Sequence, residues 1–129
     1  MANEITLNVN MSVSKGTLRY TFAPPTASIN LTGNAAAGGV QNISTTTTEL
    51  ELINVTTRGL ANFVNLSTGT EIEIGSDDGT TFHRFGLLKS GEPAVMRLSA
   101  QGAGITSPVA RVIVPAAGTA NLQWQVFAD

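Results

Sequence analysis

Asp77, Asp78 and Gly79 stand side by side, with Glu71 and Glu73 a few residues upstream. Carboxylates grouped this way suit a calcium loop, since the ion takes about six to eight oxygen ligands. An EF-hand loop also needs a glutamate at its twelfth position. Counting from Asp77, that position is Leu88, so the spacing fails. A tight hairpin turn is the better reading, because Asp and Gly both tolerate left-handed backbone.

The single histidine, His83, is followed by Arg84. A hydrolytic triad needs a nucleophile, a base and an orienting acid held together in space. The chain contains no Gly-x-Ser-x-Gly elbow to present a serine, and His83 reads as a surface or interface residue. Glu49 with Glu51, and Glu71 with Glu73, repeat at a spacing of two, so each pair faces one side of its strand. Paired carboxylates about 5–10 Å apart can cleave a glycosidic bond. A solvated strand face explains them more simply, with Arg58, Arg84, Arg97 and Arg111 as cross-strand or intersubunit partners.

Trp124, Tyr20 and the phenylalanines have the chemistry of a sugar-stacking platform. Aromatic residues make up only 5% of the chain, and a packed core needs most of them. Five Asn-x-Ser/Thr sequons, at Asn10, Asn30, Asn42, Asn54 and Asn65, follow from abundant Asn, Ser and Thr. The opening Met1-Ala2-Asn3-Glu4-Ile5 has neither the basic nor the apolar stretch of a signal peptide, so the sequons read as polar strand faces rather than glycan sites. With no cysteine, thiolate chemistry, disulfides and cysteine-ligated zinc are excluded. No catalytic, cofactor-binding or metal-binding residue is assigned.

The composition narrows the partners. Of 129 residues, 12% are charged and 42% apolar, and the net charge is −2. Thr, Ser and Asn fill about 28% of the chain. The mild acidity argues against a nucleic-acid binder, which normally carries a basic patch. No apolar run approaches the roughly 18 residues of a membrane helix.

The elements that must position these residues show a period of two almost throughout. Ile5, Leu7, Val9, Met11 and Val13 alternate with polar residues in one long first strand. Lys15-Gly16 turns the chain into Leu18, Tyr20 and Phe22, and Pro24-Pro25 ends that strand. A short strand is expected at Ala27–Leu31, followed by a small-residue loop over 33–39. Further strands are expected near 40–44, 50–54, 60–66, 70–74, 82–88, 94–99, 109–114 and 122–127. The almost continuously apolar 109–114 suits a central position. Short strands with turns every 8–12 residues or so and no helix read as a sandwich or small barrel. The expected fold is a single-domain, all-β antiparallel sandwich over residues 1–129, with a jelly roll as a candidate topology.

Three stretches carry a family resemblance. They are Met1-Ala2-Asn3-Glu4-Ile5-Thr6 with its alternating strand; Gly59, Phe63-Val64-Asn65-Leu66 and Ile72-Glu73-Ile74-Gly75; and Leu87-Leu88-Lys89-Ser90-Gly91-Glu92 running to Met96-Arg97-Leu98. Together they resemble small virion proteins of tailed bacteriophages, of the type that decorates or cements a capsid. The resemblance spans most of the chain as β-structure, without a chemical signature. It implies a cofactor-free structural protein, made in a bacterial cytoplasm and carried on the capsid surface. Its partners would be the major capsid protein and further copies of itself, as a dimer or trimer, with no nucleic acid or membrane. A tail, collar or baseplate part is the alternative, and a carbohydrate-binding module or small enzyme a more distant one.

Composition agrees independently. Interface centres are poor in Lys, Glu and Asp, and this chain has only two lysines, Lys15 and Lys89. The first strand carries no charge from Ile5 to Ser14, and natural proteins usually blunt such an edge with lysine. Ile5, Leu7, Val9, Met11 and Val13, together with Arg58, Arg84 and Arg97, are the expected interface residues.

Overall fold

The computed structural model describes residues 4–52, 55–98, 108–114 and 118–128, with 108–114 described by backbone and strand pairing. Among these residues every regular element is a strand, every pairing is antiparallel and none is a helix. The sequence suggests one domain over residues 1–129; contacts divide the chain into two compact units, Met1–Thr32 and Gly33–Asp129.

The first unit holds two small ribbons. Strand β1 (Ile5–Leu7) pairs with β4 (Ala27–Ile29), and β2 (Met11–Lys15) pairs with β3 (Leu18–Phe22). Gly16, at a φ of 57°, takes the left-handed turn between β2 and β3. The long strand expected over 5–13 is therefore two strands, interrupted at Asn8–Asn10. The physical reason is a change of partner: β1 follows β4 while β2 follows β3. At the break, the Asn8 side chain accepts a hydrogen bond from the Thr26 hydroxyl, just before β4.

The second unit is a β-sandwich of two four-stranded sheets. One sheet has the order β10 (Pro93–Arg97), β7 (Arg58–Asn65), β12 (Ala120–Ala128), β5 (Ala36–Ile43). The other has the order β6 (Thr48–Glu49), β11 (Pro108–Val114), β8 (Glu71–Asp77), β9 (Phe82–Leu88). Strand β11 is central, as its apolar run implies.

The core follows from the alternation. On β12, Ala120, Leu122, Trp124 and Val126 are buried while Asn121, Gln123 and Gln125 are exposed. Register sets Trp124 opposite Phe63 of β7 and Gly39 of β5. From the second sheet Ile72, Ile74 and Leu88 join the same cluster. Fully burying each large side chain stabilises the fold by about 1.5–3 kcal/mol before entropy is counted.

Two local expectations need correction. Residues 36–39, expected in a small-residue loop, open strand β5. A glycine is needed at position 38 because β5 runs tightly against β12 at that point: a Cβ on Gly38 would come 2.5 Å from the Trp124 carbonyl oxygen. The strand expected near 50–54 is displaced to the two residues before it, Thr48–Glu49. Leu50 and Leu52 lie outside the ladder, with the Leu52 N–H donating to the Leu50 carbonyl and the Leu52 carbonyl accepting from the Val55 N–H, while Leu50 still buries its side chain. Residues 53 and 54 lie outside the described residues.

Candidate functional site

The carboxylates of the turn are engaged by its own backbone and side chains. Gly79, at a φ of 91°, sits at the bend between β8 and β9. The Gly79 N–H donates to Asp77 Oδ1 at 2.7 Å. Asp78 Oδ1 accepts from the Thr80 N–H, the Thr80 hydroxyl and the Thr81 N–H. Asp78 Oδ2 lies 3.0 Å from His83 Nε2. The His83 contact, followed by the Thr80 and Thr81 hydrogen bonds, holds the Asp78 carboxyl well below the usual carboxylate range. Among the described residues, no three His, Asp or Glu side chains converge as a metal would require.

Register sets Ser76 across from His83, so the residue types of a triad meet at this hairpin end. Among the described residues no hydrogen bond from the Ser76 hydroxyl to His83 is found, and the His83 ring is 55% exposed. The arrangement has the chemistry of a stapled turn: one carboxylate before the bend gathers Thr80, Thr81 and His83 from beyond it.

Glu71 and Glu73 share one face of β8, as expected, but differ in environment. Glu73 is buried at 6% exposure, and its Oε1 accepts from Arg84 Nη1 at 2.7 Å. Arg111 stands opposite Glu73 in the register. Glu73 is thus half of an ion pair across two strands. Glu51 stands apart from it, lining an open groove beside β5.

The expected interface residues are distributed over both units. Ile5, Leu7 and Val13 are half-buried in the first unit, and Val9 and Met11 are exposed. In the second unit Arg84 is bound to Glu73, and Arg97 is exposed on β10 across from Leu60. Arg58 is half-buried, and burial pulls its guanidinium below the ordinary range against the opposing Glu49 carboxylate.

Trp124 and Phe63 are in the core, as expected, whereas Tyr20, Phe22 and Phe85 are exposed. The reason in the first unit is size. Below about 40 residues a chain rarely closes a core of its own, and two ribbons cannot enclose five large side chains. Register puts Met11 opposite Phe22, Val13 opposite Tyr20 and Lys15 opposite Leu18. One face of the hairpin is therefore apolar except at its tip, and the other carries Ser12, Ser14, Arg19 and Thr21. Met11, Leu18, Tyr20 and Phe22 are 43–58% exposed.

Two structural residues escape the sequence reading. Asn65, part of a sequon, is completely buried. Its Nδ2 donates to the carbonyls of Thr70 and Leu88, and its Oδ1 accepts from the Ser67 N–H. An amide so enclosed is closed to glycan transfer. Gly38 is the other. The alternation at 62–66 places Asn65 on the inner face, and the Gly38-Gly39 pair in a polar stretch was the only signal for a close approach.

Comparison with known proteins finds no matching family, no curated relative and no matching solved structure.

Proposed function

We propose that this chain is a structural virion protein that binds and stabilises a phage capsid lattice, docking through the apolar face of its β2–β3 hairpin. The observation that carries the reading is that face. Met11, Leu18, Tyr20 and Phe22 project from a small unit with no core able to absorb them. Exposed apolar faces rimmed by polar residues mark protein contact sites. The low charge of the chain and the sequence resemblance support the same partner, a coat-protein surface. Burial of Trp124 weighs against a sugar-binding platform, which needs an open indole face.

The apolar face predicts the manner of binding. Little charge is involved, so attachment depends only modestly on ionic strength, unlike a charge-steered complex. Many copies on a repeating lattice supply the avidity that one small contact lacks.

The test is to purify particles from the phage that encodes the chain and measure its ratio to the coat protein. Stripped particles are then given back the wild-type chain or the Tyr20→Ser/Phe22→Ser variant. Wild type should rebind at lattice stoichiometry and raise the temperature of DNA release. The variant should lose more than tenfold in occupancy while its Trp124 fluorescence remains that of a folded core. Absence from particles, or full rebinding by the variant, overturns the reading.

A further inference from the structure

The second unit has four sheet edges, and three of them are blunted. Strand β10 begins at Pro93 and ends at Arg97. Strand β9 carries His83 and Arg84 and an irregular register against β8. Strand β6 is two residues long and includes Glu49. Proline, charge, bulges and shortness are the usual devices that stop edge-to-edge pairing. Strand β5 has none of them. It runs for eight residues, Ala-Ala-Gly-Gly-Val-Gln-Asn-Ile, without charge or proline, and pairs through β12 alone among the described residues.

Among the described residues, the surroundings of this edge are open. Two open grooves of about 460 Å³ each run beside Ala36–Gly39, one bordered by Gln41 and Glu51, the other by Asn62, Gln123 and Gln125. Val40 is 60% exposed. Gln41 Nε2 donates to the Glu49 carbonyl, while its buried Oε1 has no hydrogen-bond partner among the described residues. An added strand brings a row of backbone donors to this edge.

We infer that β5 is the dimer edge of the protein, pairing antiparallel with β5 of a second copy to join two four-stranded sheets into one of eight strands. Charge selects the second copy as occupant. A two-fold contact sets each strand against itself, so a β9 pair centred on Phe85 would put the two Arg84 residues one step either side of the axis, and a β10 pair centred on Val95 would oppose Arg97 to Pro93, which has no N–H to give. β5 brings no like charge together. Two-fold dimers are also the commonest symmetric assembly.

Side-chain size then sets the register. In an antiparallel pair, directly opposed residues share a face, so a two-fold axis through the pair opposes positions of equal parity. Centred on Gly39, the pairing opposes Val40 to Gly38, Gln41 to Ala37 and Asn42 to Ala36. Each larger residue of one copy meets a small one of the other, and the grooves beside Ala36–Gly39 receive the larger side chains. This inference concerns self-association and stands whether the external partner is a capsid or another surface.

The test uses the whole chain in solution. Sedimentation at concentrations up to about 100 µM should show a dimer. Val40→Lys puts two like charges at the joint and should weaken the dimer more than tenfold without changing Trp124 fluorescence. Val95→Lys, on the blunted β10 edge, should leave it intact. The chain has no cysteine, so single Ala36→Cys and Asn42→Cys variants report register cleanly. Mixed and oxidised, the two should give a disulfide-linked heterodimer, in higher yield than either alone. A monomeric wild type, a Val40→Lys dimer as strong as wild type, or no preference for the mixed crosslink overturns the inference. None of these outcomes depends on particle binding.

Discussion

Gly38 lies against the backbone beneath Trp124, so that a Cβ there would stand 2.5 Å from the Trp124 carbonyl oxygen and 2.9 Å from Gln125 Cα. Both neighbours are ladder backbone and cannot rotate away. Gly38→Ala therefore has to push β5 from β12, at an expected cost of about 1–3 kcal/mol, as for other overpacked sites. Gly86 is the control. Among the described residues, the one atom within 4 Å of a Cβ there is the flexible end of Met96, at 3.9 Å. Gly86→Ala should be neutral or stabilise by up to about 1 kcal/mol, through the unfolded chain. Urea unfolding followed by the fluorescence of Trp124, the only tryptophan, distinguishes the two. Equal effects would show that β5 is free to move.

Asp78 gives a pH signature at the β8–β9 turn. Its carboxyl is held below the ordinary range by His83 first and by the Thr80 and Thr81 donors next. The folded turn thus binds the proton less readily than the unfolded chain does. The turn's contribution to stability is complete above the ordinary carboxylate value near about 4 and is lost as pH falls through the lowered one. An NMR titration of the Thr80 and Thr81 amides should show a midpoint clearly below that of an unperturbed aspartate. His83→Ala should move the midpoint upward. An ordinary midpoint in the wild type would dissolve the proposed staple.

Alternation made β3, β8, β10 and β12 legible from sequence to within a few residues, and β9 was legible from the turns that bound it. In β12 burial enforces that pattern, because a one-residue slip would expose Leu122, Trp124 and Val126 together. Strand β5 was not legible over 36–39. Its alanines and glycines carry no hydrophobic period, and the smallness of Gly38 is required by a neighbour 86 residues away in the chain, Trp124. The break at Asn8–Asn10 was hidden because the period continues while the partner changes. Of the site, the Asp78 turn was visible as a turn. Its His83 contact was not, since it depends on how the hairpin closes.

Arg84 and Glu73 divide one ion pair unequally. The Arg84 side chain is 54% exposed and that of Glu73 7%. Losing the arginine leaves a carboxylate in a dry place with fewer donors, whereas losing the glutamate frees a cation that water can reach. Arg84→Met should therefore cost more than Glu73→Gln, at about 1–2 kcal/mol, between the values for exposed and buried pairs. The double variant should recover part of that loss. A double-variant cycle by thermal unfolding measures this; strict additivity would mean that the two side chains are energetically independent.

Asn65 carries the last prediction. It lies on β7 in one sheet, and its side-chain amide donates to the carbonyls of Thr70, just before β8, and Leu88, at the end of β9. Its carbonyl oxygen meanwhile receives the Ser67 N–H. One fully buried side chain thus ties the first sheet to the hairpin of the second. Each such bond contributes a net of about 1 kcal/mol, and buried partners left unpaired add to the loss. Asn65→Ala should cost about 2–4 kcal/mol, whereas Asn42→Ala, which gives up one exposed bond to Asn121, should stay within about 0.5 kcal/mol. Asn65→Asp sharpens the test. A carboxylate keeps the Ser67 bond but faces the two carbonyls without a proton to offer, and burial raises its pKa above the unfolded value. A group whose folded pKa is raised binds its proton more tightly in the folded chain. The variant should therefore be least stable at neutral pH and regain stability as pH falls toward about 4–5. Urea unfolding of Asn65→Ala, Asn65→Asp and Asn42→Ala at both pH values provides the measurement. An Asn65→Asp variant as stable as wild type at neutral pH would mean that water reaches this amide and that it does not bind the sheets together.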